Sequence, residues 1–495
     1  MLPGITIWST LFLAVFLSFV RPLWVIYFII IFDLFWLFRV TYFVFYLYVS
    51  WRKFRDTTAV DWAEKLRLTN NWERVYHIIF LPVYKEGVDV IRTTFNSFLA
   101  SDFPHDRIII VLAGEERNQE EFLRHAEIIK KEFGDKFFRL LITLHPDDLP
   151  GEIKAKGANA NWAGHRAKEM IDELKIPYQD IIVSYFDIDT CTHSKYFSYL
   201  AYRYLTHPNP LRTSFQPVAL YNNNIWTANP ITRVTAFATT FWLLTELARP
   251  ERLFTFSSHS MSWQALVDVG FWQKDIVTDD SRIFLQCFVH YNGDYIVTPM
   301  YIPVSMDVTS GGTFWESVVS LYKQQRRWAW GIEHYPYMLW HFSHNKLIPW
   351  KKKIKYFWNL GEGMYSWASA PILIFILGRL PMLVAPQEVR ASAIFQNTPH
   401  ILQWLMTLAM AGIFASALVT VMLLPPVPKG KRKSIVVLMF LQWIILPVTL
   451  VLFGSIPAID AQTRLMFGKY LGFFNTPKVR SDEDHKSMAE AHGKA

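Results

Sequence analysis

Two aspartates one residue apart, Asp187 and Asp189, are the first residues whose types and spacing could do chemistry. They end the apolar run 181–190, IIVSYFDIDT, which has the length and composition of a buried strand. Side chains at i and i+2 of an extended segment point the same way, so both carboxylates could face one Mg²⁺ or Mn²⁺ ion. An acidic loop explains an isolated D-x-D equally well, and the choice depends on residues further along the chain.

A second acidic pair, Asp279 and Asp280, lies in VTDDS at the start of the amphipathic segment SRIFLQCFVHY. Acids are common at helix N-termini, where they interact favourably with backbone N–H groups, and that structural interpretation is the more frequent one. The functional interpretation makes one of the two carboxylates a general base that deprotonates an acceptor hydroxyl.

The segment 323–330, KQQRRWAW, is more specific. In a helix, Gln324, Arg327 and Trp328 occupy positions i, i+3 and i+4 and share one face, while Arg326 points elsewhere. Arginine binds phosphate oxygens bidentately, glutamine hydrogen-bonds hydroxyls, and an indole offers a flat surface to a sugar ring. A basic, aromatic helix is also typical of one that lies on lipid headgroups, and the two interpretations are compatible.

These motifs lie in a stretch, residues 52–345, where apolar runs alternate with amphipathic segments. The predicted strands are 75–82, 107–112, 137–144 and 181–186, and the predicted helices include 118–133 and 161–174. This alternation predicts an α/β domain with a doubly wound, mostly parallel sheet, whose carboxyl edge would position the acids. The sequence contains neither a Gly-x-Gly-x-x-Gly turn after the first strand nor a phosphate loop, so a diphosphate would have to be bound by metal and cations.

The composition predicts an integral membrane protein. The 495 residues are 52% hydrophobic and 16% aromatic, and the mean hydropathy of +0.15 is high for a soluble chain. The apolar runs that could form membrane spans are 5–20, 23–51, 356–384, 401–424 and 435–453. Basic residues at 52–55 and 346–355 border these runs, so the positive-inside rule predicts that the α/β domain lies in the cytoplasm. The membrane is expected to be a bacterial inner (plasma) membrane. The same rule accounts for the net charge of +8 without nucleic acid, and two cysteines exclude a disulfide framework.

The expected organisation follows from these segments. It comprises a transmembrane hairpin (1–51), a cytoplasmic domain (52–312), amphipathic interface helices with the Gln324 motif (313–355), C-terminal transmembrane helices (356–470) and a polar cytoplasmic tail (471–495). Five simple spans would leave the C-terminus outside, whereas the basic tail is expected inside. The region 435–467, interrupted by Pro447 and Pro457, is therefore either a simple span or a fold-back hairpin. Residues 481–495 are expected to be disordered.

Taken in order, the motifs resemble those of membrane-integrated family-2 glycosyltransferases with a GT-A fold, the group that contains cellulose, chitin and hyaluronan synthases and glucosylceramide synthase. The match covers about residues 76–330. For the donor, the resemblance implies nucleotide binding by Pro82, Tyr84 and Glu86, contact with the phosphates by Lys156 and Asn161, and further donor binding by Gln324, Arg327 and Trp328. It implies Mg²⁺ or Mn²⁺ binding by Asp187 and Asp189, with Asp187 also facing the donor. Catalysis is implied for Asp280 as the base, beside Asp279. One departure is VLAGEE after the second strand, where Glu115 stands in for an acid pair that contacts uracil, and this leaves the nucleobase open.

The resemblance implies inverting, metal-dependent transfer of a sugar from a nucleotide-diphosphate sugar, with a UDP-sugar expected, to a growing polysaccharide. Processive extension and translocation are expected, with membrane lipids and accessory export proteins as further partners. Transfer of one sugar to a lipid, as in glucosylceramide synthase, is the first alternative, and a nucleotide-sugar-binding regulatory membrane protein is the second. A transporter is disfavoured because no internal repeat is visible, and the presence of Asp187, Asp189, Asp280, Arg327 and Trp328 favours an enzyme.

Overall fold

The protein begins with two long apolar helices, α1 (Leu2–Val20) and α2 (Pro22–Ala59), in a computed structural model that describes residues 1–477, Arg480 and Asp484. Pro22 takes the first position of α2, where its missing N–H forfeits no helical hydrogen bond. At 38 residues α2 is about 57 Å long, well over the roughly 30 Å of a bilayer core. Its C-terminal part therefore continues into the next domain, where Ser50 Oγ donates to the Leu244 carbonyl at 2.6 Å.

Eight strands form one sheet in the order β3-β2-β1-β4-β7-β6-β8-β5. Their bounds are β1 Tyr76–Pro82, β2 Ile108–Glu115, β3 Arg139–His145, β4 Ile181–Tyr185, β5 Cys191–Thr192, β6 Thr213–Tyr221, β7 His259–Ser262 and β8 Ile296–Met306. Strands β3, β2, β1 and β4 are parallel neighbours and correspond to the four predicted strands, which are confirmed. The other half of the sheet is mixed, because β7 runs antiparallel to both β4 and β6 while β6 and β8 are parallel.

Helices cover both faces of this sheet. They are α3 Trp62–Arg67, α4 Val88–Leu99, α5 Gln119–Phe133, α6 Lys156–Leu174, α7 Tyr196–Thr206, α8 Pro230–Leu247, α9 Trp263–Asp268, α10 Asp279–His290, α11 Phe314–Ala329 and α12 His334–His344. Alternate residues of β1 enter the two cores, with Ile78 and Phe80 on one face and Ile79 and Leu81 on the other. The chain leaves β1 towards β2 and returns on the other side at β4. The border between β1 and β4 is thus the switch point at which α/β proteins bind ligands.

The C-terminal region is helical: α13 Trp350–Phe375, α14 Leu380–Val384, α15 Gln387–Arg390, α16 Ala393–Met422, α17 Ser434–Leu441, α18 Leu446–Thr449 and α19 Ile456–Met466. By length and composition, four helical stretches of the described chain could cross a membrane: α1, α2, α16 and the run from Ser434 to Met466. A fifth is the pair formed by α13 and Leu377–Val384, which is bent by 42°. The fold is therefore an α/β domain joined to apolar helices of membrane-spanning length.

The run from Ser434 to Met466 begins and ends against the α/β domain. Near its start Gln442 accepts from Arg233 Nη1 of α8 at 3.0 Å, and near its end Asp460 pairs with Arg326 of α11 at 2.8 Å. Between these contacts the run forms a π-helical turn, Leu450–Ser455, and Ser455 Oγ donates to the Trp367 carbonyl of α13. Both ends of this apolar segment consequently lie on the side of the α/β domain. The prediction of disorder for 481–495 falls, apart from Asp484, outside the described residues.

An ion pair joins the N-terminal and C-terminal helices. Arg39 of α2 bonds both carboxylate oxygens of Glu362 in α13, and the guanidinium also lies over the ring of Trp36 at 4.9 Å. The two side chains are 16% and 20% exposed, so neither is solvated as it would be on a surface. Removing one partner would leave the other charge uncompensated in an apolar setting.

We therefore expect Arg39→Met to lower the melting temperature of the detergent-purified protein, and Arg39→Met/Glu362→Met to recover part of the loss. Breaking a fully buried pair costs roughly 3 to 5 kcal/mol, and the residual exposure here makes the expected cost smaller. Thermal unfolding followed by intrinsic fluorescence measures it. A double variant less stable than either single variant would contradict this account.

Candidate active site

A cavity of about 750 Å³ opens at the carboxyl ends of β1, β2 and β4 and continues between the apolar helices. Eleven residues predicted from the sequence line it: Pro82, Tyr84, Glu86, Glu115, Lys156, Asp187, Asp189, Asp280, Gln324, Arg327 and Trp328. Two predicted residues are not among its lining residues, Asn161 and Asp279. The chain thus brings together motifs that are up to 246 positions apart in the sequence, from Pro82 to Trp328.

Lys156 is the centre of charge in this cavity. Its Nζ lies 2.8 Å from Asp187 Oδ1, 3.0 Å from Asp280 Oδ1 and 4.0 Å from the centroid of the Tyr185 ring. Burial alone would lower the pKa of the ammonium group, but the carboxylates of Asp187, Asp280 and Asp279 raise it above its ordinary value. The lysine therefore stays charged and links the D-x-D motif to the second acidic pair.

The two aspartates of D-x-D have different surroundings. Asp187 is partly exposed, and its second oxygen accepts from Ser257 Oγ at 2.6 Å. Asp189 is buried, and one of its oxygens accepts from the backbone N–H of Asp307 at 2.9 Å. Both residues line the cavity, but only Asp187 is appreciably exposed to it, since Asp189 is 2% exposed. The expectation of an extended segment is wrong here: β4 ends at Tyr185, and the N–H of Thr190 donates to the Asp187 carbonyl at 2.9 Å, which closes a turn.

The second acidic pair divides in the same way. Asp279 is the first residue of α10, is buried, and accepts a short hydrogen bond from the Tyr185 hydroxyl. Burial, and then the charge of Asp280, raise the pKa of Asp279 above that of an ordinary aspartate. Asp280 faces the cavity instead, with 24% of its side chain exposed. Of the two, Asp280 is the carboxylate that an acceptor could reach.

Gly157 permits this close approach. A Cβ at this position would lie 2.8 Å from the Gln273 carbonyl oxygen and 2.9 Å from Asp279 Cβ. Because real Cβ atoms essentially never come that close, a side chain here would push α6 and the start of α10 apart. The lack of a side chain at Gly157 thus allows the Lys156 ammonium group to reach Asp187 and Asp280.

Helix α11 presents the Q-x-x-R-W face to the cavity. Thr313 and Glu316 form a capping box at its start, which fixes the helix end on the side away from the motif. Thr309 Oγ1 donates to the side-chain oxygen of Gln324, Oε1, at 2.7 Å. The Trp328 ring packs against the Tyr221 ring with 5.7 Å between centroids. Arg326 points away and pairs with Asp460, as the helical spacing predicts. Arg327 lies over the ring of Phe473 at 5.0 Å.

The loop after β1 forms the opposite wall. The Glu86 carboxylate accepts from the backbone N–H groups of Tyr84 and Lys85 and so closes its own turn. Glu115, at the end of β2, pairs with Arg117, whose guanidinium stacks on the Tyr84 ring at 4.4 Å. Burial raises the pKa of Glu115, and the arginine opposes that shift. At the edge of a planar ligand, the Arg117 guanidinium can donate hydrogen bonds and the Glu115 carboxylate can accept them.

Sequence reasoning missed several residues of this site. Asn161 donates to the carbonyls of Gly270 and Trp272, whereas Asn159, two positions earlier, lines the cavity and donates to the Ala113 carbonyl. Tyr221 and Asp307 also line it, at the ends of β6 and β8. The position of Tyr221 at the end of an apolar run followed by NNN was the available signal.

The described part of the tail crosses the cavity mouth. Asn475 donates to Glu86 Oε1 at 3.3 Å, and Phe473, Asn475 and Thr476 line the cavity. Arg480 forms a bidentate pair with Asp307 that is almost fully buried, with 1% and 0% of the two side chains exposed. The sequence, which shows this tail only as polar, gave no signal for these contacts.

Comparison with known proteins identifies the fold and the chemistry. Residues 182–456, more than half of the chain, match the family model of glycosyl transferase family group 2. The chain belongs to this family. With the sheet order described above, the family membership identifies the α/β domain as a GT-A-type glycosyltransferase domain. The protein is a glycosyltransferase of family group 2 that also carries apolar helices of membrane-spanning length.

Solved structures give more distant likenesses. The mannosyltransferase PcManGT from Pyrobaculum calidifontis, solved with GDP-Man and Mn²⁺, is 13% identical over 88% of this chain and 99% of that chain, with a TM-score of 0.42. Residues 1–349 of TarS from S. aureus, solved with UDP-GlcNAc, are 10% identical over 82% of this chain and 97% of that chain, with a TM-score of 0.37. No curated protein matches the sequence.

The carboxylates of Asp187 and Asp189 fit a hard divalent cation by their donor chemistry. Carboxylate oxygens are the ligands that Mg²⁺ and Mn²⁺ prefer, and Mg²⁺ usually takes only one or two from the protein and completes its shell with water and substrate phosphates. No group of three or more His, Cys, Asp or Glu side chains in the described residues could hold a metal by itself. Two carboxylates are as many protein ligands as a cation shared with a phosphate ligand would need.

We expect Lys156→Met to lower the rate of sugar transfer at least tenfold, because it removes the cation that offsets the charges of Asp187 and Asp280 and leaves these neighbouring carboxylates to repel each other. A rate assay on purified enzyme measures the loss. Lys168→Met is the matched control, since Lys168 lies on the same helix and pairs with Asp172 on the surface. Equal rates for the two variants would show that the charge of Lys156 is dispensable.

Proposed function

We propose that this glycosyltransferase transfers a sugar, with inversion, from a nucleotide-diphosphate sugar to a growing polysaccharide that it extends processively into the membrane. The donor is first sought among UDP-sugars, with GDP-sugars next. The subtype is that of the cellulose, chitin and hyaluronan synthases. The α/β domain is placed in the cytoplasm, because basic residues border the spans on the side of that domain.

One observation supports the polymer acceptor above others: the cavity continues from Asp280 to between the apolar helices and carries unpaired polar groups along its length. Ten buried polar atoms of lining residues have no hydrogen-bond partner in the described chain: Thr255 Oγ1, Gln325 Nε2, Arg327 Nε, Arg252 Nε, Asn359 Oδ1, Asn159 Oδ1, Thr476 Oγ1, Trp443 Nε1, Trp36 Nε1 and Asp33 Oδ1. Of these, Arg252 Nε lies 3.6 Å from a carboxylate oxygen of Glu246. Buried polar atoms are rarely left unpaired, so a ligand or water is expected to pair with them. A chain of sugars carries hydroxyls that can pair with such groups where their side chains turn towards the cavity, whereas an acyl chain carries none.

The chemistry assigned to this chain's residues is a single displacement. The acceptor hydroxyl gives its proton to Asp280 while its oxygen forms a bond to the anomeric carbon, and the bond from that carbon to the diphosphate breaks on the opposite face. Lys156 binds Oδ1 of Asp280, so Oδ2 of this cavity-lining residue is the oxygen assigned to the hydroxyl. Arg327 is placed to bind the departing diphosphate, and Trp328 with Tyr221 offers aromatic surface to the acceptor ring.

A divalent cation held by Asp187 and Asp189 would add positive charge beside the leaving group, which is where preorganised charge contributes most to rate. Asp187 is well placed for this role because Ser257 and Lys156 fix both of its oxygens at the cavity wall. The described residues then supply binding, orientation and the base.

A lipid acceptor that receives one sugar is the second candidate, and the apolar walls of the same cavity favour it. Phe43, Phe241, Leu360, Met406 and Phe453 line the part between the helices. These side chains would accommodate an acyl or prenyl chain as readily as a sugar face. The two candidates differ in the product that they release.

We expect Asp280→Asn to keep donor binding and to lose about 10² to 10⁴ in transfer rate, the usual loss when a general base is removed. Calorimetry with the nucleoside diphosphate measures binding, and release of that diphosphate from the donor measures turnover. Asp279→Asn is the comparison, because Asp279 is buried against Tyr185 and does not line the cavity. Turnover of Asp280→Asn near the wild-type rate would remove Asp280 from the mechanism.

The decisive experiment incubates the purified protein with labelled UDP- and GDP-sugars and sizes the products. We expect a long polymer from one donor, produced with Mg²⁺ or Mn²⁺ and abolished by EDTA, because the carboxylates of Asp187 and Asp189 would repel the diphosphate unless a cation lies between them. A single lipid-extractable glycoside would replace the polymer proposal with the lipid one. Full activity in EDTA would exclude the cation.

A further inference from the structure

Glu333, in the turn Trp330–Glu333 that follows α11, binds the segment that carries the acidic pair. Its Oε1 accepts from Thr278 Oγ1 at 2.6 Å, and its Oε2 accepts from Trp330 Nε1 at 3.0 Å and from the Tyr470 hydroxyl at 3.3 Å. The glutamate and the indole are both buried. One carboxylate thus joins three parts of the chain: the residue before Asp279, the end of the Q-x-x-R-W helix, and the start of the tail.

His334, the next residue, binds the same segment on its other side. Arg282 Nε lies 3.2 Å from His334 Nδ1 and can only donate, so Nδ1 is the unprotonated nitrogen. Nε2 therefore carries the proton and donates to Ser281 Oγ at 2.7 Å, and Ser281 in turn donates to the Thr278 carbonyl. Burial, and then the charge of Arg282, hold the pKa of His334 well below its ordinary value, so the ring stays neutral in this tautomer.

These bonds fix the residues on either side of the acidic pair. Thr278 precedes Asp279 and Ser281 follows Asp280, and each uses its hydroxyl to contact the turn after α11. Glu333 lies five positions beyond Trp328, so the diphosphate-facing helix and the start of α10 are joined by side-chain hydrogen bonds as well as by packing. A displacement of about 1 Å between a base and its substrate can cost on the order of 10² in rate.

We propose that Glu333 and His334 are positioning residues, which hold Asp280 at a fixed place relative to a donor bound against Arg327 and Trp328. The inference rests on the proposed function in one respect, the assignment of Asp280 as the base. It goes beyond that function by assigning a second set of residues to the reaction, none of which the three sequence motifs contains. If Glu333 only stabilised the fold, its replacement would weaken donor binding and lower the transfer rate together.

The test compares four variants with the wild-type enzyme: Glu333→Ala, Glu333→Gln, Thr278→Val and the double variant Thr278→Val/Glu333→Ala. Thr278→Val keeps the side-chain shape and removes only the hydroxyl that Glu333 binds. Release of nucleoside diphosphate gives kcat, and calorimetry gives the dissociation constant of the same nucleotide. Glu316→Ala, at the exposed start of α11, is the control that alters this helix far from the segment.

We expect kcat to fall about tenfold to a hundredfold in Glu333→Ala and Thr278→Val while the nucleotide dissociation constant stays within about threefold. Glu333→Gln should recover part of the rate, since its side-chain carbonyl oxygen can still accept from Thr278 Oγ1. The double variant should be no slower than Glu333→Ala. Each of the two changes breaks the same hydrogen bond, from Thr278 Oγ1 to Glu333, so the second change has nothing further to remove. Glu316→Ala should match the wild type.

Three results would overturn the inference: an unchanged kcat in Glu333→Ala, losses that multiply in the double variant, or parallel loss of rate and nucleotide binding in both Glu333 variants. Asp280→Asn, assayed alongside, separates this failure from failure of the proposed function. If Asp280→Asn is inactive and Glu333→Ala is not, the positioning role is wrong and the base assignment stands. If Asp280→Asn is active, both are wrong.

Discussion

Asp187, Asp279 and Asp280 converge on Lys156, and without that lysine their mutual repulsion would oppose the packing of α6 against the start of α10. Only 11% of the Lys156 side chain is exposed, a position that is costly for an unpaired charge and favourable here because carboxylates surround the ammonium group. Gly157 then lets the helix approach closely enough for the bonds to form. The geometry of the whole cavity edge depends on this arrangement, since it fixes where the D-x-D motif stands relative to the second acidic pair.

The sequence predicted the part of the fold that depends on local pattern. The apolar runs of β1 to β4 are each bounded by polar or turn residues, and a buried parallel strand needs nothing more to be recognised. Strand β7 has only four residues, HSMS, two of them serines, and β6 contains Pro217 at a bulge, so neither has a strand pattern of its own. These strands form because β4 and β8 present backbone groups to pair with, and that is a tertiary effect.

The same distinction applies to the site. Asp187, Asp280 and Trp328 could be found because each belongs to a short motif with a chemical rationale, and the structure brings them to one cavity. Asn161 was placed by its motif, whereas the helix turns Asn159 into the cavity and Asn161 towards the Trp272 carbonyl. Glu333 has no motif at all, because its contacts are with Thr278 and with Tyr470, which lie 55 and 137 positions away. Hydropathy likewise shows that the run from Ser434 to Met466 is long enough to cross a membrane. It does not show that residues near both ends of the run contact the α/β domain.

That run makes the catalytic part and the membrane part a single body. Its Asp460 neutralises Arg326, one position before the cavity-lining Arg327, and its Phe453 is part of the cavity wall. The α/β domain therefore lacks a boundary at which it could be cut away intact: a version ending after α12 would expose the apolar side of α11 to water and leave a guanidinium without its carboxylate. Expression of the isolated domain would yield an altered surface beside the site. Biochemistry on this enzyme consequently requires detergent, nanodisc or bilayer throughout, and the choice among them becomes an experimental variable of the reaction itself.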